Sequence, residues 1–565
     1  MLPPLRAWVC GTLLAAGVRS EPDREGVSVL KPSLILPLAV LIAFGTTLGC
    51  ALVLPPLTSP AHGGSTWRAL TSARFAMKTD LSRSDALEAL GALERTYGLF
   101  EEVAFPGERA RGGRINVVLF RRERDYRALG VKGSDAYFTP ELANDPEPEP
   151  TAVMFGGLSD ANRRVFQHEL AHHFMRRALT HVPVWLNEGM AEYYSTLETR
   201  DGEVLLGKVP PGVVFTSASD WKYLPAGATH YAIPRSGVPS IYELLTATPE
   251  VFYAASSSKE AEPTLDEERR QRGFYAGSWA LVHMLRNLDD RHRRPFGAYL
   301  DALAGGARAR NAWEQSFASI APDALQLDFD AYLRKGSLTV RARRFVPREP
   351  PPPEEERTLS DAEVHLLWAR LDAWGGQGTA RARRQLDEAL QSAPSSVDVH
   401  FWRGLFFVHR GDDATAETEL QIALDAKPRE PRFLLTRLRL EMKRATQSRA
   451  TFESLTTRLA EVATTATELD LVAQARAALG RPDDGLPFAE RAIRAEPDCW
   501  RCLDTRAQLL SAMGRHDEAV TAEARALELL PEGYRDAPLL ARYRKYQAAA
   551  RAKATAPPPL APAAP

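Results

Sequence analysis

The chain has 565 residues, 44% hydrophobic and 25% charged, which is ordinary globular composition and excludes a mostly disordered or fibrous protein. Its 71 Lys and Arg face 72 Asp and Glu for a net charge of -1, so it lacks the basic excess of a general nucleic-acid binder. Four cysteines are too few for a disulfide-built scaffold, and the length predicts about two to four domains at roughly 100–200 residues each.

Residues 1–56 read as an N-terminal tail with a signal or anchor segment. Ser33 to Leu54 is an uncharged apolar run of 22 residues, and a bilayer core of ~30 Å needs about 20 helical residues. Lys31 precedes it, which fits a cytoplasmic start. Two readings stay open. One is a membrane anchor. The other is a cleaved signal ending at Thr46-Thr47-Leu48-Gly49-Cys50, which resembles a bacterial lipobox, with Cys50 as the lipidated residue and Thr47 where Leu is usual. Both associate the protein with a membrane and put the remainder in the cell envelope, outside the cytoplasm.

A Ser/Pro/Gly-rich spacer, 57–66, leads into a globular region over 67–345. Ala69–Thr79 reads as a strand, and Leu87, Leu90, Leu93 and Tyr97 give Ser84–Phe100 helical spacing. The β-branched run Ile115–Phe120 predicts a buried strand, and Ala152–Phe155 a short one ended by Gly156-Gly157. Helical patterns follow over 161–179, 185–197, 271–288 and 322–334. Strands first and helices later predict an α+β domain. Pro350–Pro353 then mark 346–358 as a Pro/Glu-rich, semi-rigid linker.

The region 359–550 is periodic. Pro394 and Pro428 are 34 apart, Pro428 and Pro497 are 69 apart, and Pro497 and Pro531 are again 34 apart. In that register small residues recur: Gly411, Gly480 and Gly514 at one position, Ala382, Ala416, Gly485 and Ala519 at another, Ala389, Ala423, Ala492 and Ala526 at a third. Small residues let paired helices approach, and Gly suits the turn between them. The pattern resembles the tetratricopeptide repeat, with a degraded unit near 431–464. That resemblance implies an all-α solenoid whose concave face recruits a protein partner. Cys499 and Cys502 lack a second CxxC, so a four-cysteine zinc site is not expected; they read as packing residues in the first turn of a helix, ahead of a strained disulfide or redox role. The Ala/Pro tail, 551–565, is expected to be disordered.

The chemistry concentrates in Gln167-His168-Glu169-Leu170-Ala171-His172. Positions i and i+4 share a helix face, so His168 and His172 can present two imidazoles to one ion. Glu169 lies beside them, as the carboxylate that handles protons in a zinc hydrolase. Pro183-Val184-Trp185-Leu186-Asn187-Glu188-Gly189-Met190-Ala191 begins eleven residues after His172. Together these segments resemble the gluzincin (peptidase MA-like) zinc metallopeptidases.

The resemblance implies a thermolysin/gluzincin-like catalytic domain holding one Zn2+ through His168, His172 and Glu188. Glu169 is then the general base. Glu192, one turn after Glu188, would orient a zinc histidine through its far nitrogen or would itself be the third ligand. The segment Gly273–Leu285 is similar to the following gluzincin helix, where a tyrosine, here Tyr275, supplies a hydroxyl to the oxyanion; a core aromatic role for Tyr275 stays open. Ala152–Phe155 corresponds to the edge strand that pairs with substrate. The aminopeptidase G-x-M-E-N motif is absent, which argues against a simple aminopeptidase. His173 reads as packed or solvent-facing, and His181 receives no role. The expected function is a zinc-dependent peptidase acting on a peptide or protein, with repeats that bind a partner and no nucleic acid. The alternative is a non-catalytic repeat adaptor whose zinc domain is structural or degenerate.

Overall fold

The computed structural model describes residues 57–106, 113–129, 136–139, 150–210, 213–216, 232–234, 237–254, 264–334, 338–374, 379–444, 448–530 and 537–555. The apolar run at 33–54, Cys50 and the residues from 556 onward lie outside them, while 551–555, expected as part of a disordered tail, instead continue the helix Ala537–Thr555. No helix among the described residues is long and apolar enough to cross a membrane.

The first domain is built on a six-stranded sheet. Its strands include β1 (Arg68–Thr71), β2 (Phe75–Thr79), β3 (Ile115–Phe120), β4 (Ala136–Thr139) and β5 (Thr151–Phe155). Strands β2, β3 and β5 run parallel, and β4 lies antiparallel on the outer side of β5. The apolar run of β3 is explained by burial on both faces. Ile115, Val117 and Leu119 enter the main core, while Val118 and Phe120 enter a second core behind the sheet.

Three details depart from the sequence reading. Residues 69–79 form a hairpin, not one strand, with Arg68 opposite Thr79 and Leu70 opposite Met77. The turn is held from α1 (Arg83–Leu99). The buried Glu94 carboxylate accepts from the Ser72 hydroxyl at 2.6 Å and from the Arg74 backbone N–H at 3.1 Å. A hydrogen bond from so distant a residue leaves no local turn signature.

The segment Ala152–Phe155 is not an edge either. Strand β4 satisfies its outer side, so any strand addition to that side of the sheet must occur on β4. Finally, the Pro/Glu-rich linker ends as a strand. Glu355–Thr358 pairs antiparallel with β1, giving the otherwise open edge its backbone partners.

Helix α2 (Asp160–Ala178) packs on one face of this sheet against β4 and β5, with α3 (Val184–Ser195) packed in turn on α2 and α4 (Leu265–Asn287) on α3 within the same core. Helix α5 (Asp361–Trp374) covers the other, burying Val364, Leu367, Trp368 and Leu371 against Trp67 and Phe120. Since α5 also starts the repeats, the two regions share a core.

Beyond it, helices pair in sequence: α5 with Thr379–Ser392, Val397–Arg410 with Asp413–Ala426, Pro431–Lys443 with Arg449–Val462, Ala466–Ala478 with Pro482–Ala495, and Trp500–Ala512 with His516–Glu528. Gly411, Gly480 and Gly514 have φ of +75°, +77° and +72°, the left-handed conformation that ends the first helix of a pair. Ala382, Ala389, Ala416, Ala423, Ala492, Ala519 and Ala526 are fully buried where helices meet. The degraded unit still forms a helix pair, with the buried Arg437 guanidinium bridging Glu417 and Glu441. At the far end of the repeats, Arg308 of the first domain donates to the carbonyls of Leu527 (2.8 Å) and Leu530 (3.3 Å).

One close approach sets the position of α3. A Cβ on Gly189 would stand 2.5 Å from the backbone oxygen of Ser278 and 2.8 Å from its carbonyl carbon, both on α4. Backbone cannot yield as a flexible side chain can. Gly189→Ala is therefore expected to destabilise the fold by about 1–3 kcal/mol, the usual cost of overpacking. Chemical denaturation followed by circular dichroism measures this, and an unchanged midpoint would contradict the packing account.

Candidate metal centre

Local signals position the first two site residues. Ser159 caps α2 by accepting from the Asn162 N–H, and the Asn162 amide donates to the carbonyl of Gly157 at 2.9 Å, tying the helix to the end of β5. From that start, His168 and His172 emerge one turn apart on the same face. Their Nε2 atoms lie 3.1 Å from each other.

Helix α3 brings Glu188 against the same two atoms. Its Oε2 is 3.3 Å from His168 Nε2, and its Oε1 is 3.6 Å from His172 Nε2. All three side chains are buried, Glu188 to 1% exposure.

These donors fit a zinc ion. Zinc bonds of 2.0–2.1 Å in tetrahedral arrangement separate neighbouring ligand atoms by about 3.3 Å. The Nε2–Nε2 separation of 3.1 Å and the 3.3 Å from His168 Nε2 to Glu188 Oε2 lie close to that value, and the 3.6 Å approach to His172 is made by the other carboxylate oxygen, Oε1.

The electrostatics follow from burial and proximity. Burial pushes the Glu188 carboxyl up, but His172 and His168 more than reverse this and hold it well below the usual carboxylate range. Glu169 is also buried. There burial prevails over the lowering effect of His172 and His168, so its carboxyl is pushed up.

Of the two carboxylates on α3, Glu188 meets the Nε2 atoms, while Glu192 Oε1 lies 3.4 Å from Nδ1 of His168, on the far side of the ring. Glu192 therefore stands on the opposite side of the His168 ring from the converging Nε2 atoms.

A residue with no sequence signal completes the surroundings. The Tyr253 hydroxyl donates to Glu188 Oε1 at 2.5 Å. Tyr253 follows the short helix Pro249–Phe252 and is 65 residues from Glu188, so no motif spacing reveals it. Tyr275 is half-buried on α4, its ring 5.1 Å from that of Phe252 and 6.5 Å from that of Tyr253.

Of the remaining histidines, His173 is buried, and burial together with Arg177 and Arg176 lowers its pKa to about 3, as for a packed neutral ring. His181 is buried too, and burial with Arg308 and Arg525 lowers its pKa. Cys499 and Cys502 form a disulfide rather than merely packing, their Cα atoms 5.3 Å apart and thus within bridging range.

The helix pairs and their glycine turns define the C-terminal region as tetratricopeptide repeats, and the family model described as tetratricopeptide repeat matches residues 371–431. Among solved structures, the chain is similar to TTC0263, a thermophilic tetratricopeptide-repeat protein of Thermus thermophilus. The identity is 20% and the TM-score 0.27, over 33% of this chain and 99% of that one. It is also similar to Pseudomonas aeruginosa PilF, at 17% identity and TM-score 0.29 over 34% and 86% of the two chains. A third likeness is YrrB, a repeat protein with an unusual peptide-binding site, at 15% identity and TM-score 0.27 over 33% and 92%. Comparison with curated proteins finds no match.

Removing an outer carboxylate that orients a metal histidine typically costs 10–100-fold in metal affinity. Glu192→Gln is therefore expected to weaken zinc binding about 10–100-fold, read by competition with a chromophoric chelator. Unaltered affinity would remove Glu192 from the site.

Proposed function

We propose that the chain is a zinc-dependent, gluzincin-like peptidase of the cell envelope, whose repeats hold a protein partner or the substrate itself. The observation that carries this reading is the convergence of His168 Nε2, His172 Nε2 and the Glu188 carboxylate from two helices at 3.1–3.6 Å. Three protein donors of this kind leave one coordination position for water, the arrangement of catalytic rather than structural zinc. When bound, zinc supplies an activated water and polarises the scissile carbonyl.

The chain's own residues do the rest. The Glu169 carboxylate takes the proton of the attacking water and delivers it to the leaving amine. Glu192 keeps the His168 ring in orientation through Nδ1, and Tyr253 steadies Glu188 through Oε1. By the family resemblance, the Tyr275 hydroxyl donates to the developing oxyanion. The apolar segment at 33–54, as anchor or as lipoprotein signal with Cys50, would hold the molecule at the membrane.

A second reading has its own support. The family match lies within the repeats, which favours a non-catalytic adaptor of the cell envelope. On that reading the zinc domain is a structural or degenerate appendage.

Glu169→Gln separates the two. The peptidase reading expects full zinc content with cleavage of a peptide library reduced about 10²–10⁴-fold, the usual contribution of a general base. Equal cleavage by wild type and variant at equal zinc content would favour the adaptor.

A further inference from the structure

Among the described residues, a second cluster of metal-ligating side chains lies away from the candidate zinc centre, where the turn Pro60–His62 meets the first repeat helix. His62 ends the turn Pro60–His62, while Asp361 and His365 occupy the first two turns of α5. One ligand atom from each of the three lies within 4.8 Å of the others.

The cluster is built rather than incidental. The Ala61 N–H donates to Asp361 Oδ1 at 2.9 Å across 300 residues of chain, and the Ser392 hydroxyl, from the second repeat helix, donates to Oδ2 at 3.3 Å. The buried Ser59 hydroxyl lies 2.9 Å from His62 Nδ1.

His365 provides the decisive observation. Its side chain is 6% exposed. Its Nδ1 is 2.6 Å from Gln385 Oε1, and a carbonyl oxygen only accepts, so the ring proton sits on Nδ1. Nε2 is then the nitrogen left for a ligand, and it faces Asp361 Oδ2 3.4 Å away, close to the ~3.3 Å that separates two ligands of one zinc ion. Among the described residues this buried nitrogen has no hydrogen-bond partner. A buried nitrogen facing a carboxylate at that separation needs a proton or a metal ion between them, and the convergence of His62 on the same pair supplies the third donor that a metal ion uses and a proton does not.

We infer that His62, Asp361 and His365 form a second divalent-metal site of the zinc class, which clips the turn Pro60–His62 onto the first repeat helix. Two imidazoles and one carboxylate are a donor set suited to such an ion. Closing so long a loop is where a metal clip stabilises most in principle. The site has a structural consequence. It ties residues 57–62 to the joint between the sheet and the repeats. The inference does not depend on the peptidase reading.

The test is zinc stoichiometry of the purified full chain, titrated with Zn2+ alone against a chromophoric chelator, for wild type and His62→Ala. His62 is exposed, so its removal leaves the core intact. The site requires that His62→Ala bind one equivalent fewer than wild type, whether or not the first centre binds zinc, and that His365→Gln repeat the loss. In the double variant His62→Ala/His168→Ala no equivalent remains if both sites are real. Equal stoichiometry and affinity in wild type and His62→Ala would overturn the inference and leave an Asp361–His365 pair closed by a proton alone.

Discussion

Burying a carboxylate beside two imidazoles is costly, and much of the first domain is arranged around that cost. Polar groups taken out of water must find partners there, and charges above all. Glu188 finds them in His168, His172 and the Tyr253 hydroxyl. The cluster therefore stands only if α2, α3 and the segment ending at Tyr253 are held in fixed relation. The Asn162 tie fixes α2 to β5, and the Gly189–Ser278 approach fixes α3 on α4. Displacing either helix would leave a buried carboxylate without its compensation.

The repeats are part of the same construction. Helix α5 closes the rear of the sheet, the strand before it closes the front edge of β1, and Arg308 grips the last helix pair. A partner bound by the repeats would thus be held against the first domain rather than at the end of a tether. Affinity for such a partner would act as local concentration at whatever chemistry the first domain performs.

What was legible in the sequence follows from the range of the forces involved. Periodicity is local, so α1, α2, α3, β3 and the glycine-punctuated repeats could be read within a residue or two. The i, i+4 spacing of His168 and His172 is likewise local, as is the Asn-Glu-Gly context of Glu188. The misses are all long-range. Glu94 breaks the hairpin at 72–74 from another element, and β4 covers β5 with no signal in β5 itself. Glu355–Thr358 is a strand only because β1 needs a partner. Tyr253 and the His62–Asp361–His365 cluster are assembled by tertiary packing from distant segments. The degraded repeat shows the converse. Pro431–Lys443 and Arg449–Val462 still pair, burying Phe433, Leu434, Leu438, Phe452, Leu455 and Leu459 in one core with the neighbouring repeats.

The central claim is that His168, His172 and Glu188 together hold zinc. An anomalous difference map at the zinc absorption edge, from crystals of the protein grown with zinc, addresses it most directly. The account predicts a peak within bonding distance of both Nε2 atoms and a Glu188 carboxylate oxygen, about 2.0–2.2 Å from each. Absence of density there, or a peak bound through Glu192 instead of Glu188, would contradict it.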